Sequence, residues 1–552
     1  MAQKFPRLFL ILLASLFILN LLQSYFTELI YDEAYYWYYA QELDWGYFDH
    51  PPMVAFLIKL SSFLFSGELG VRFMSCVLAA GTYLILWSTI DNQKKNDYVI
   101  HFFVLVFSMT LMNAYGFLTL PDTPLLFFTA LFLWLYKRFL KDPSIITTIA
   151  IGVTMSALMY SKYHAFLVIF FVFLSNIKLL KNGRAWLAVL IALACYSPHL
   201  YWLYENDFIS IKYHLYERPN QAYSFSKFTL GYFVNLVAIF GLLFYWVYLA
   251  LIKTKATDPF IKALKYLSFG VIIFFFVSSF NRRVQTQWII IVSIPMAILT
   301  FNYLLEHSNV RKWVYRLGLV SLLVMLYARA WLIHQPLLPL LFETHGNKDW
   351  VSELHTKSGG IPVVFENSYR RAPMYEFYSG QHSFSLNNYM YRKNQYSIDN
   401  SEERVRNKKI LYATKYRSAG DISYSHPDGS IFYGIFMDDF ESFRKLQGLV
   451  MEDSCSNCYR LEVYNPYDFD IALNKLSFTV AFSNRYKQVK EMVPITVEKV
   501  DANMEKIVSQ DTVSFRFVLP KPKMENVGYF RVGISENQLL PGLNGQPIKI
   551  EQ

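Results

Sequence analysis

His50-Pro51-Pro52-Met53-Val54-Ala55-Phe56-Leu57-Ile58-Lys59-Leu60-Ser61-Ser62-Phe63-Leu64-Phe65 is the stretch on which the reading of the fold turns. It is apolar enough to enter a membrane, yet it is short, carries Lys59 and follows two prolines. A bilayer core takes about 20 apolar residues as a helix. Met53–Phe65 therefore reads as a helix lying at the interface rather than crossing it. One longer apolar run precedes it, Arg7–Leu22, which lacks a small-residue cleavage site and reads as a retained span. After it come Gly70–Ile90, Tyr98–Leu118, Thr123–Leu140, Ile145–Tyr160, Tyr163–Ile177, Ala185–Tyr204 and Leu230–Ile252. Ile261–Phe280, Trp288–Leu305 and Trp313–Ile333 complete a set of eleven expected spans.

The charges test that choice. Of 552 residues 54% are hydrophobic and only 17% charged, against about 25% charged in a soluble globular chain. The formal net charge is +10, and its location matters more than its size. Before Gln335 there are 26 Lys+Arg and 16 Asp+Glu; after it, 26 of each. The excess thus belongs to the apolar part, which argues against a nucleic-acid partner. With the N-terminus inside, 17 cations fall on inner loops, including Lys4, Lys94, Lys95, Lys137, Lys141, Arg311 and Lys312. Eight fall outside: Lys59, Arg72, Lys162, Lys212, Arg218, Lys227, Arg282 and Arg283. That is the positive-inside bias, and making Met53–Phe65 a full span would invert every later loop.

An odd number of spans places the polar C-terminal third outside, in a periplasm-like space. The expected organisation is a membrane domain over residues 1–335, an α/β domain over 336–455 and a β-rich domain over 456–552. In the α/β part, Ile361–Phe365 reads as a strand and Asp438–Gln447 as a helix. Beyond it, Ser477–Phe482 and Val513–Val518 alternate with period two, as strands of a sandwich-like region do. Cys455 and Cys458 read as a local disulfide in an oxidising compartment. No Walker-type phosphate loop occurs, which disfavours a nucleotide-driven pump.

Charged residues at membrane depth are costly and are functional candidates by default. The outer side holds Asp32 and Glu33 in Tyr31-Asp32-Glu33-Ala34-Tyr35-Tyr36-Trp37, then Asp49 and His50, and Asp122 in Leu120-Pro121-Asp122-Thr123-Pro124. Lys162, Arg282 and Arg283 face the same side. Carboxylates beside cations at a lipid–water boundary suit chemistry on a lipid-linked phosphate. Cations would offset the charge of a phosphate leaving group, and a carboxylate would take the proton of an acceptor hydroxyl. That is sugar transfer from a polyprenyl-phosphate donor.

Asp32-Glu33-Ala34-Tyr35-Tyr36-Trp37, Asp49-His50-Pro51-Pro52 and Pro121-Asp122-Thr123-Pro124-Leu125 resemble the bacterial GT-C glycosyltransferases of the protein O-mannosyltransferase and aminoarabinose-transferase type. Ser161-Lys162-Tyr163 is similar to that family's short lysine motif, and Ser197–Trp202 to its outer-loop pattern. The resemblance spans roughly residues 1–335. It implies a GT-C fold of about eleven spans and an inverting glycosyltransferase in a bacterial inner membrane, with its soluble region in the periplasm. It implies Asp32 as catalytic base, Asp122 as a second essential acid and Lys162 as a contact to the donor phosphate. Glu33, His50, Arg282 and Arg283 are carried as substrate-binding candidates. The acceptor would be a lipid-linked glycan, a lipid A-like molecule or a protein hydroxyl. Some members bind a divalent cation here, so a metal is left open. Ser-Lys-Tyr stands where the aminoarabinose branch has Thr-Lys-Gly, so that sugar specificity is not transferred. The rival reading is a transporter or flippase of lipid-linked sugars; the lack of an internal repeat and the outer-boundary clustering of polar residues argue against it.

Overall fold

The computed structural model describes residues 5–218, 220–455 and 457–550. Lys4, one of the inner-loop cations, and Ser456, between the two outer cysteines, lie outside them. The chain divides into two compact units at His345/Gly346, with Asn220–Ala222 grouping with the second.

The first unit is helical. It begins with α1 (Arg7–Phe26), α2 (Tyr31–Gln41), α3 (Met53–Ser62), α4 (Gly67–Thr89), α5 (Val99–Phe107) and α6 (Thr110–Ala114). There follow α7 (Asp122–Lys141), α8 (Ile145–Ser161), α9 (Ala165–Ser175) and α10 (Gly183–Glu205). Among the described residues seven helices are long and apolar enough to cross a membrane: α1, α4, α7, α10, Pro259–Ser278, Thr286–Glu306 and Ser308–Ile333. The expected span Leu230–Ile252 is instead a bent pair, Ser226–Ala238 and Gly241–Lys253, at 95°. Gly241 turns the corner at φ 53°, where a side chain would be strained.

Three other expected spans are shorter than the apolar pattern implied. Tyr98–Leu118 is broken into α5 and α6 around Ser108 and Met109. Two polar residues support the break: the Ser108 hydroxyl donates to the carbonyls of Val104 and Gly318, and the Asn113 amide caps that of Phe107. Ile145–Tyr160 and Tyr163–Ile177 become α8 and α9, of 17 and 11 residues. At 1.5 Å per residue α9 spans about half a bilayer core. Helix α3, ten residues long, packs on α2 and α4. It buries Val54, Ala55, Leu57, Ile58 and Ser61 and leaves Phe56 exposed, as are Phe63, Leu64 and Phe65 just beyond its end. It is an interface-length helix.

Ion pairs sort the bundle into two ends. Lys94 meets Glu306, and Lys137 and Lys141 share Asp91, where α4 and α7 finish. Arg72 meets Glu33, and Lys162 meets Asp122, where α4 and α7 begin. Loops grouped by charge in the sequence thus cluster in space.

The second unit joins an α/β layer to a β sandwich. Helices Asn347–Ser358 and Arg371–Ser379 accompany a five-stranded sheet. Strands Ser383–Leu386, Val363–Glu366 and Lys408–Thr414 are parallel neighbours; Ile431–Phe440 and Ile422–Ser425 continue the sheet antiparallel. Asp438–Gln447 is not the helix its apolar spacing suggested. Phe440 ends a ten-residue strand and pairs with Lys408, while Phe443 and Leu446 turn into the sandwich core. Strand pairing and burial override a weak local preference. The sandwich starts at Gln447, earlier than the expected 456, and its two four-stranded sheets enclose Leu461, Val463, Val480, Phe515 and Phe530. Cys455 and Cys458 are disulfide-bonded.

Candidate active site at the Asp32–Asp122 end of the bundle

The first loop is fastened from below by a buried ion pair. Arg72, on α4, and Glu33, in the first turn of α2, are both fully buried. The guanidinium donates to the Glu33 carboxylate at 2.8 and 2.5 Å and to the carbonyls of Ser24, Thr27 and Glu28, which finish α1 and lead out of it. Glu33 also accepts from the backbone N–H of Ile30 and of Thr119. Thr119 stands three residues before Asp122, so one carboxylate ties the start of α2 to the turn that opens α7. Glu33, expected as a substrate contact, has its oxygens occupied by this framework.

The two other acids stand at the starts of α2 and α7. Asp32 is half-buried, next to Glu33 in the first turn of α2. Asp122 is almost fully buried at the start of α7, and Lys162 Nζ lies 2.7 and 2.8 Å from its two oxygens. The buried Tyr115 hydroxyl is within electrostatic reach of both Asp122 and Asp32. Asp32, Asp122 and Lys162, drawn from three separated segments, therefore share one neighbourhood. Lys162 leaves α8 in an extended conformation (φ −165°, ψ 141°), which turns its chain off the helix.

The rest of the first loop is seated on α10 and the segment after it. His199 Nδ1 shares a hydrogen bond with the Trp45 carbonyl, Trp202 Nε1 donates to Asp44, and Ser210 donates to the Tyr47 carbonyl. Gly46 is required here: a Cβ would lie 2.4 Å from the Trp202 ring. Tyr39 and Tyr47 stack at 4.2 Å, and Asp49 lies 3.5 Å from the Tyr39 hydroxyl. His50 lies beside Tyr36 and His214, and its Nδ1 is buried without a hydrogen bond to any described residue. Burial, then Lys162, His214 and Arg218, push its pKa well below the ordinary value. His50 is thus held neutral.

Cations that the sequence scattered also converge. Arg282 donates to the His214 carbonyl at 3.3 Å, whereas its neighbour Arg283 is exposed. Arg218 lies 5.0 Å over the Trp288 ring and donates to Gln285. His164 packs on the same Trp288 and is within electrostatic reach of Lys162, His214, Arg218 and Arg282. Arg72, Arg218 and His214 were not singled out from the sequence. For Arg72 a signal existed, a cation inside an apolar span; Arg218 and His214 have only their four-residue spacing. Among the described residues no group of three or more His, Cys, Asp or Glu is arranged to hold a metal ion. Glu33 and Asp122 are each paired with a cation of the chain, Arg72 and Lys162.

Residues 49–202, from Asp49 to Trp202 and so including Asp122 and Lys162, match the model of the dolichyl-phosphate-mannose-protein mannosyltransferase family. Over this stretch, a little over a quarter of its length, the chain is similar to a family of membrane glycosyltransferases. It is similar to the lipid A galacturonosyltransferase RgtD of Rhizobium johnstonii, 25% identical over 335 residues, which cover 57% of this chain and 68% of that protein. Its fold is similar to that of ArnT from Cupriavidus metallidurans in the apo state, with a TM-score of 0.53 and 12% identity. The same protein bound to undecaprenyl phosphate gives a TM-score of 0.52 and 12% identity. Each ArnT match covers 73% of this chain and 92% of that one.

Proposed function

We propose that this protein transfers a sugar from a polyprenyl-phosphate donor to a lipid A-like acceptor, with inversion, at the outer face of a bacterial inner membrane. The likeness to RgtD and to ArnT with undecaprenyl phosphate supports the acceptor and donor classes. The positive-inside bias supports the sidedness, with the second unit in the periplasm. In this reading Asp32 accepts the proton of the acceptor hydroxyl as its oxygen attacks the anomeric carbon. The bond from that carbon to the phosphate oxygen breaks on the opposite face, and polyprenyl phosphate leaves as its anion. Lys162 offsets the charge that develops on the leaving phosphate, and Asp122 holds its ammonium in place. The neutral His50 packs beside the site without adding charge.

The observation that carries the reading is the buried Lys162–Asp122 pair, at 2.7 and 2.8 Å, in the neighbourhood of Asp32. The test uses purified full-length Asp32→Asn protein with a polyprenyl-phosphate sugar and a lipid A acceptor. Loss of transfer with an unchanged melting midpoint is expected. Transfer by Asp32→Asn at the wild-type rate would remove Asp32 as the base.

A further inference from the structure

The start of α2 is held from two directions. Like any helix, α2 leaves its first N–H groups without partners inside the helix, and its N-cap, Ile30, has no side-chain oxygen to offer. The N–H of Ile30 is taken by Glu33, which Arg72 holds. The N–H of Tyr31 donates to Oε2 of Glu343 at 3.4 Å, across 312 residues. Asp32 stands in the same turn, between Tyr31 and Glu33.

Glu343, half-buried, is carried on a hook that closes the last spanning helix, Ser308–Ile333. The buried Thr344 hydroxyl donates to the carbonyl of Leu332. His345, also buried, accepts the N–H of Phe342 at Nδ1 and therefore donates from Nε2 to the Trp331 carbonyl at 2.8 Å. Two carbonyls of that helix's last turn are thereby satisfied. One turn earlier the helix is anchored in the bundle. Buried Arg329 donates to the side-chain oxygens of Asn113 on α6 and Asn20 on α1, and Gln23 donates to the Arg329 carbonyl. The carboxylate that meets α2 thus comes from a fixed helix end, and negative charge is the favoured kind at a helix N-terminus.

We infer that Glu343 is a positioning residue for the base: by accepting from Tyr31 it keeps the first turn of α2 from fraying and so sets where the Asp32 carboxylate stands. This rests on the assignment of Asp32 above and adds the residue that holds it. Glu343 itself moves no proton and touches no substrate. A base must lie within hydrogen-bond reach of the proton it takes, and a misplacement of about 1 Å can cost about a hundredfold in rate.

The test measures transfer by the full-length protein in lipid nanodiscs, with a polyprenyl-phosphate sugar that the wild type turns over and a lipid A acceptor. Glu343→Ala should lower kcat about tenfold to a hundredfold, with KM for donor and acceptor within about twofold of wild type. Glu343→Gln keeps an oxygen that can accept from Tyr31 and should regain most of that loss. In an Asp32→Asn background Glu343→Ala should cost nothing further, because it acts only through Asp32. A variant that merely folds poorly loses activity in both backgrounds alike, so the cycle separates position from stability. An unchanged kcat in Glu343→Ala, a rise in KM in its place, a Gln variant as slow as the Ala variant, or equal losses in the two backgrounds would each overturn the inference. Asp32→Asn protein working at the wild-type rate would bring down the base assignment itself, whatever Glu343 does.

Discussion

Replacing Glu33 with Gln tests whether the first loop is braced or catalytic at this position. The substitution keeps the size of the side chain and removes its charge. Arg72 would then remain buried among the carbonyls of Ser24, Thr27 and Glu28, having lost the Glu33 carboxylate. Removing one partner of a buried pair costs about 3–5 kcal/mol, because the other charge is left uncompensated. Both side chains here are fully buried, so solvent screening does not soften the loss. The N–H groups of Thr119 and Ile30 would also lose a charged acceptor. Purified Glu33→Gln protein should therefore show a lower thermal unfolding midpoint and a lower transfer rate together. The double variant Glu33→Gln/Arg72→Met should regain part of the midpoint, since no lone charge is then buried. A Glu33→Gln protein with the wild-type midpoint and no transfer would refute the brace and place Glu33 on the substrate.

His50 supplies a pH test. Its folded-state pKa lies below the ordinary 6.5, so on acidification the unfolded chain takes up a proton that the folded chain refuses. Stability contributed by neutral His50 is complete above 6.5 and declines as pH falls below it. His50→Asn should flatten the loss of melting midpoint between about pH 7.5 and about pH 5.5; an unchanged slope would count against a buried neutral imidazole. Gly46→Ala should cost about 1–3 kcal/mol as overpacking, because the Trp202 ring is held by Asp44 and stacked on His199; wild-type stability and rate would show that the loop seat is loose. Exhaustive chelation should leave sugar transfer unchanged, since Glu33 and Asp122 are paired with Arg72 and Lys162; loss restored by added divalent cation would show that the acids are recruited to a metal.

The sequence by itself determined much of the membrane reading. Apolar run length established a polytopic helical bundle in which Met53–Phe65 is too short to span, because membrane insertion responds to such local properties. It also brought Asp32, Asp122 and Lys162 to the same face, since each closely precedes or follows an apolar run. Hydrophobicity alone did not reveal where runs break. Tyr98–Leu118 divides at Ser108 through a hydrogen bond to Gly318, 210 residues away. Nor could local pattern assign Asp438–Gln447, where pairing with Lys408 decides for strand.

Only the tertiary structure decided how the charges are shared. Glu33 meets Arg72 across 39 residues and Lys162 meets Asp122 across 40. Nothing in the local sequence distinguishes Glu33 the brace from Asp32 beside it. Burial raises the cost of an unmatched charge, and which ions meet there depends on helix packing. The same packing gathers Arg218, Arg282 and three histidines from distant segments into the neighbourhood of Lys162.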